Sequence, residues 1–233
     1  MHTLARPGAK LKQEMNQIQQ DAERTMDHIF EQLLLEYANA ADADERKRTE
    51  RTLWQKFGRK KAILVMDMSG FSLLTQKFGI VHYLSMVKRM QITSQPIVEQ
   101  NGGQVVKFEA DNCFAMFDDV PASLRTAVAL NAAFDAMNAH TDEAFDIRVS
   151  IGIDYGDVLL IGGPDFFGDV VNRACKMGED VAGPGEIFLS EAAFREVPRQ
   201  AGFRGKTLKL SISGIQLKAV RLQDFGSAGP VLT

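Results

Sequence analysis

The run Ala62-Ile63-Leu64-Val65-Met66-Asp67-Met68-Ser69-Gly70-Phe71-Ser72 joins an apolar strand to a turn and the start of a helix. Five successive apolar residues read as a strand buried on both faces. Asp67 closes the strand. Gly70 permits a tight turn and close backbone approach. The backbone N–H groups at Gly70, Phe71 and Ser72, where the next helix begins, are placed to hold phosphate oxygens.

A second carboxylate fits the first. Asp111 follows Val105-Val106-Lys107-Phe108-Glu109-Ala110 and precedes Cys113-Phe114-Ala115-Met116-Phe117. Those runs read as a hairpin with Asp111 in its turn. Strands paired side by side would bring Asp67 and Asp111 to one edge of a sheet. Two carboxylates at one spot repel unless a cation neutralises them. Hard divalent ions take such oxygen ligands, usually with substrate phosphates completing their coordination. The pair therefore points to metal-assisted chemistry on a phosphorylated substrate. Either aspartate taken singly fits a helix cap or a turn equally well.

Composition sets the outer limits. The 233 residues suffice for one large domain plus an extension, and a net charge of -3 argues against nucleic acid as a partner. Cys113 and Cys175 have no metal-ligand spacing and read as buried free thiols of a reducing compartment. No run is long enough to span a membrane, and the N-terminus has no signal-peptide apolar block. A cytoplasmic location is the expectation.

Residues 1–58 read as an N-terminal helical arm. Met15, Ile18, Ala22, Met26, Ile29, Leu33 and Tyr37 recur at three- and four-residue steps, an apolar stripe along a helix. A break at Asn39-Ala40-Ala41-Asp42 precedes a second helical stretch ending near Gly58. The arm either packs on its own domain or forms a helical hairpin or coiled coil between subunits. Arg46-Lys47-Arg48 reads as a solvated face. Residues 59–233 form the second domain. Strands are expected at 61–67, 103–108, 112–117, 145–153, 156–161, 186–189, 206–211 and 216–222. Helices are expected at 71–77, 80–100, 121–139 and 169–181. That order is α+β: a ferredoxin-like βαββαβ core with additional strands, preceded by the helical arm.

Two further motifs follow, Ile151-Gly152-Ile153-Asp154-Tyr155-Gly156 and the long run Asp165-Phe166-Phe167-Gly168-Asp169-Val170-Val171-Asn172-Arg173-Ala174-Cys175-Lys176-Met177. In the second, Asn172 and Lys176 fall one helical turn apart. With Met66–Ser72, Lys107–Asp111 and Gly185-Glu186-Ile187, these resemble, in order and in spacing, the signatures of the class III nucleotidyl cyclase catalytic domain, of the bacterial stand-alone type. The resemblance covers about residues 60 to 222.

The resemblance implies a lyase that turns a nucleoside triphosphate into a 3′,5′-cyclic nucleotide and pyrophosphate. Asp67 and Asp111, with the Met68 carbonyl, would hold two Mg2+ or Mn2+ ions. Asn172 would orient the ribose, and Lys176 would stabilise charge on the α-phosphate. Lys107 and Asp165 would read the base, a donor and an acceptor that match adenine, so the expected reaction is ATP to cAMP. The family builds its sites at a head-to-tail interface, so a homodimer with two interface sites is expected. Without the resemblance, Lys107 reads as a surface strand lysine.

The pattern has departures. Lys176 stands where the family has Arg and lacks the planar fork. Ser213-Gly214 aligns with the family's triphosphate-binding Lys-Gly. Ala110 replaces a Gly before the second metal aspartate, and Pro164 and Phe167 replace a Tyr and a Trp. Arg173 is expected to face away from the site. Phe108 and Phe166 flank the base-reading residues and would tighten the pocket. Two other readings stay open on these grounds: a pyrimidine cyclase making cUMP or cCMP, as in bacterial antiphage signalling, and a weakly active nucleotide-binding signalling domain.

Overall fold

Strand β1 (Gly58–Met68) is an interior strand of a mixed sheet. Ala62 through Met66 are all fully buried, so the apolar run is covered on both faces as its sequence requires. The computed structural model describes residues 25–161, 165–212 and 215–224; the side chains at 71–74, 212, 215 and 224 are outside that description.

Helices α1 (25–39) and α2 (Ala43–Phe57) come first. After β1 come α3 (Phe71–Phe78), α4 (Ile80–Gln100), β2 (Gln104–Glu109), β3 (Asn112–Phe117), α5 (Val120–Asn138) and β4 (Val149–Leu160). Then follow β5 (Phe166–Phe167), α6 (Asp169–Cys175), a π-helical turn over Lys176–Val181, β6 (Ile187–Ser190), α7 (Glu191–Arg195), β7 (Arg204–Ile212) and β8 (Ile215–Asp224). The strand order is β2-β3-β1-β4-β6-β8-β7, with β5 on β4 off this path. Its first four strands, in the spatial order β2-β3-β1-β4, are the expected βαββαβ core, and β6 to β8 are the additions. No helix of the described residues is long and apolar enough to cross a membrane.

By packing, the described residues fall into two units. The first takes the chain up to Arg59 together with Leu159–Phe166; the second takes Lys60–Val158 and Phe167 onward. In the first, Phe30, Leu53 and Phe57 form a small core with Ile29, Leu33, Leu159 and Ile161 against it. The Phe30 and Phe57 rings meet edge-on at 5.0 Å. Asp42 caps α2 by accepting from the Glu45 N–H at 2.8 Å, and the Glu45 carboxylate accepts from the Ala41 N–H. The arm is thus a hairpin within this chain, turned at the expected break. Its buried stripe is rotated from the expected one: Phe30 is inside, whereas Met26 and Tyr37 are exposed. Met15, Ile18 and Ala22 lie outside the described residues.

In the second unit, Leu64, Met66 and Met68 of β1 lie beside Cys113, Ala115 and Phe117 of β3 on one face of the sheet, in a core completed by α4 and α5. Asp119 caps α5 by accepting from the Ala122 N–H at 2.7 Å, and Pro121 occupies its first turn.

Besides the short β5 and α7, which were not expected, two elements differ from the sequence reading. The two strands expected at 145–153 and 156–161 are one continuous strand, β4. It starts late because the Asn138 amide, not a neighbouring strand, pairs with both the N–H and the carbonyl of Ile147, each at 2.9 Å. It does not break at Asp154, because that carboxylate turns inward and is satisfied there. The helix expected over 169–181 stays α-helical only to Cys175 and then widens into the π-turn.

Candidate active site

Strand β1 delivers Asp67 at its end, and the β2–β3 turn delivers Asp111 beside it. In the antiparallel register Asp67 lies opposite Asn112, and the Met68 N–H donates to the Asp111 carbonyl at 3.3 Å. The expected pairing of the two carboxylates is therefore what the strands produce. The turn between β2 and β3 needs a left-handed residue, and Ala110 supplies it at φ 51°. After Asp67, Gly70 caps α3 at φ 77°, and the first-turn N–H groups of Phe71 and Ser72 have no partner within the helix. The turn is tied to the residue just before β4 by the Ser69 N–H, which donates to the Arg148 carbonyl at 2.9 Å.

Burial, then the charge of Asp111, then that of Glu179 push the Asp67 carboxyl up to about 7. Burial also raises Asp111, and burial plus the charge of Asp111 raises the Tyr83 hydroxyl. A partly buried pair of carboxylates, both raised, is a site short of positive charge. Among the described residues no cluster of three His, Cys, Asp or Glu forms a closed cage. Two carboxylates and a strand-end carbonyl are all hard oxygen donors, and that donor set fits Mg2+ or Mn2+.

Register also sorts the neighbours by face. Asn112 lies opposite Asp67 on one side and opposite Glu109 on the other, so all three share a face. One row along, Val65, Phe114 and Lys107 share it too. The Lys107 ammonium sits 5.3 Å above the Phe114 ring and 3.2 Å from the Glu109 carboxylate. Lys107 is thus on the face that carries Asp67. Phe108 is not: it packs with Met66 and Cys113 into the core on the opposite face. The expectation that Phe108 narrows the pocket is corrected by this alternation.

Helix α6 and its π-turn lie against β4 and β1 because two glycines let them. A Cβ on Gly152 would stand 2.1 Å from the Ala174 carbonyl and 2.6 Å from the Gly178 nitrogen; one on Gly178 would stand 2.9 Å from the Val65 carbonyl. Asn172 is exposed on α6, and the Lys176 ammonium bridges to Asp180 at 3.2 Å. Arg173 does turn elsewhere, to a partner the sequence did not reveal. Its Nε donates to the fully buried Asp154 at 2.5 Å, where Ser190 Oγ and the Tyr155 N–H also donate. A carboxylate inside an otherwise apolar strand was the available signal for this bridge. Cys113 is buried as expected, but Cys175 is only partly so.

The fold has relatives. A solved adenylate/guanylate cyclase/hydrolase from Silicibacter pomeroyi superposes with a TM-score of 0.61 at 29% identity, covering 71% of this chain and 96% of that one. This is the class III nucleotidyl cyclase fold. An "Adenylate cyclase" of Streptomyces coelicolor (strain ATCC BAA-471 / A3(2) / M145) is 29% identical over 138 residues, 59% of this chain and 34% of its own length. A Rhizobium meliloti (strain 1021) relative that carries an adenylate cyclase name is 29% identical over 133 residues, 57% of this chain. The match spans only 22% of that relative's length, so the chain corresponds to a fraction of these curated relatives. No protein-family model matches the chain.

Against the cyclase fold, the two base-reading candidates fall in different units. Lys107 is in the second; Asp165 is in the first, where its carboxylate accepts from the Phe166 N–H at 3.0 Å. Phe166 is buried in that unit. Pro164 and the Ser213-Gly214 pair lie outside the described residues.

Proposed function

We propose that residues 59–233 are a nucleotidyl cyclase domain that converts a nucleoside triphosphate, ATP before others, to its 3′,5′-cyclic nucleotide and pyrophosphate. The observation that carries this is the juxtaposition of Asp67 and Asp111, both raised and short of positive charge. These two carboxylates, with the Met68 carbonyl, hold divalent metal, Mg2+ or Mn2+. The bound metal supplies Lewis acidity toward the ribose 3′-oxygen and the triphosphate. The backbone N–H groups at Gly70, Phe71 and Ser72 hold phosphate oxygens. Asn172 orients the ribose. Lys176, released from Asp180, stabilises charge on the α-phosphate with a point charge rather than a fork. Lys107 donates to adenine N1, and Asp165 accepts from the 6-amino group. Two copies of the chain share each site: one gives Asp67 and Asp111, the other gives Lys107, Asp165, Asn172 and Lys176.

The purine reading is favoured over cUMP or cCMP formation because Phe108 points into the core and so does not narrow the site beside Lys107. The test is to incubate the purified chain with ATP, GTP, CTP or UTP and Mn2+, and to identify products by mass. cAMP is expected. cUMP or cCMP alone would overturn the base assignment, and no product from any nucleotide would leave only a nucleotide-binding signalling domain.

A further inference from the structure

Asn112 occupies the middle of the cross-sheet row Asp67–Asn112–Glu109. Its Oδ1 atom is buried and has no hydrogen-bond partner. A buried acceptor left without a donor costs about 1–3 kcal/mol, and folded proteins keep such atoms where an ion, water or ligand completes them. The register explains why the protein itself does not complete this one. Its cross-strand neighbours on the same face are carboxylates, and once a cation has displaced the Asp67 proton neither has a hydrogen to donate. The group that suits an amide oxygen beside Asp67 is a cation or the water on one.

We propose that Asn112 is an additional oxygen donor to the divalent cation held at Asp67 and Asp111, either directly or through a metal-bound water. The inference rests on the metal reading of those two aspartates. An amide oxygen suits the role because it adds a hard donor without adding negative charge to a pair that already repels. A carboxylate at 112 would place three adjacent acids across β1, β3 and β2. An alanine there would leave the cation to Asp67, Asp111 and solvent.

The experiment is a Mn2+ titration of the metal-free 233-residue protein, reading free Mn2+ by electron paramagnetic resonance, with thermal melting alongside. Wild type binds Mn2+, and Asp67→Ala does not. Asn112→Ala is expected to weaken binding about tenfold, the scale seen when a supporting ligand is removed. Asn112→Asp is expected to melt lower than wild type without metal, yet to bind Mn2+ at least as tightly. Unchanged affinity in Asn112→Ala, with binding lost in Asp67→Ala, would overturn the role of Asn112 and leave the metal reading intact. Weaker binding by Asn112→Asp would overturn it too, and does not depend on the alanine variant folding. No Mn2+ binding by wild type would overturn the metal reading and this inference with it.

Discussion

Burial and the charges of Asp111 and Glu179 push the Asp67 carboxyl of the folded chain up to about 7, against 3.8 for an ordinary aspartate. The folded state therefore binds more protons than the unfolded one between those values, and stability falls as pH rises from about 4 to about 7. Above that range this contribution is level. Solvent reaches part of the side chain, so the loss is about 1–2 kcal/mol rather than the full value of the shift. Asp67→Asn should remove it, and so should Mn2+. Denaturant unfolding of wild type and Asp67→Asn at pH 5 and 7.5 checks this; a pH slope equal in both chains would contradict it. Ala110 is strained differently. A non-glycine residue in the left-handed region costs about 1 kcal/mol, so Ala110→Gly should raise stability by about 0.5–1 kcal/mol without moving Asp111. A lower melting temperature would contradict that. At this scale Asp67 and Asp111 were legible because each ends an apolar run. Asp154 was not. Its position predicts strand or break equally well, and only Arg173, nineteen positions on, and Ser190 decide between them.

Helix α6 and the π-turn are held by close approach and one buried bridge. A methyl at Gly152 or Gly178 would enter backbone atoms of the facing segment, which cannot yield as a flexible side chain can. Gly152→Ala and Gly178→Ala should each destabilise by about 2–4 kcal/mol, as overpacking at a rigid contact does. Melting temperatures read this, and wild-type stability in both would contradict the packing. Arg173→Met leaves the buried Asp154 with its hydroxyl and amide donors but no cation, at a cost of about 3 kcal/mol. Arg173→Lys should recover part of it. Periodicity reads a helix through 169–181 but carries no information about a π-turn, which depends on what Gly178 meets on β1 and β4. The same limit hid the continuity of β4, whose start is set by an Asn138 side chain.

For the whole molecule, the βαββαβ order and the additional strands followed from the sequence because β1 and β3 carry uninterrupted apolar runs and β2 and β4 carry shorter ones. The boundary of the helical arm followed less fully: Leu159–Phe166 joins that unit through Leu159 and Ile161, a tertiary choice with no local signal. The central claim is that Asp67 and Asp111 form half of a cyclase site whose other half, with Asn172 and Lys176, comes from a second copy. Mixing two inactive variants tests it most directly. Asp67→Ala and Asn172→Ala are each purified, shown to be inactive on ATP with Mn2+, then mixed in equal amounts under conditions that let subunits exchange. Half of the dimers then pair unlike chains, and each such dimer holds one intact site of two. Cyclic nucleotide formation should return to about one quarter of the wild-type rate. No recovery on mixing, with exchange verified by mass, would contradict the shared site.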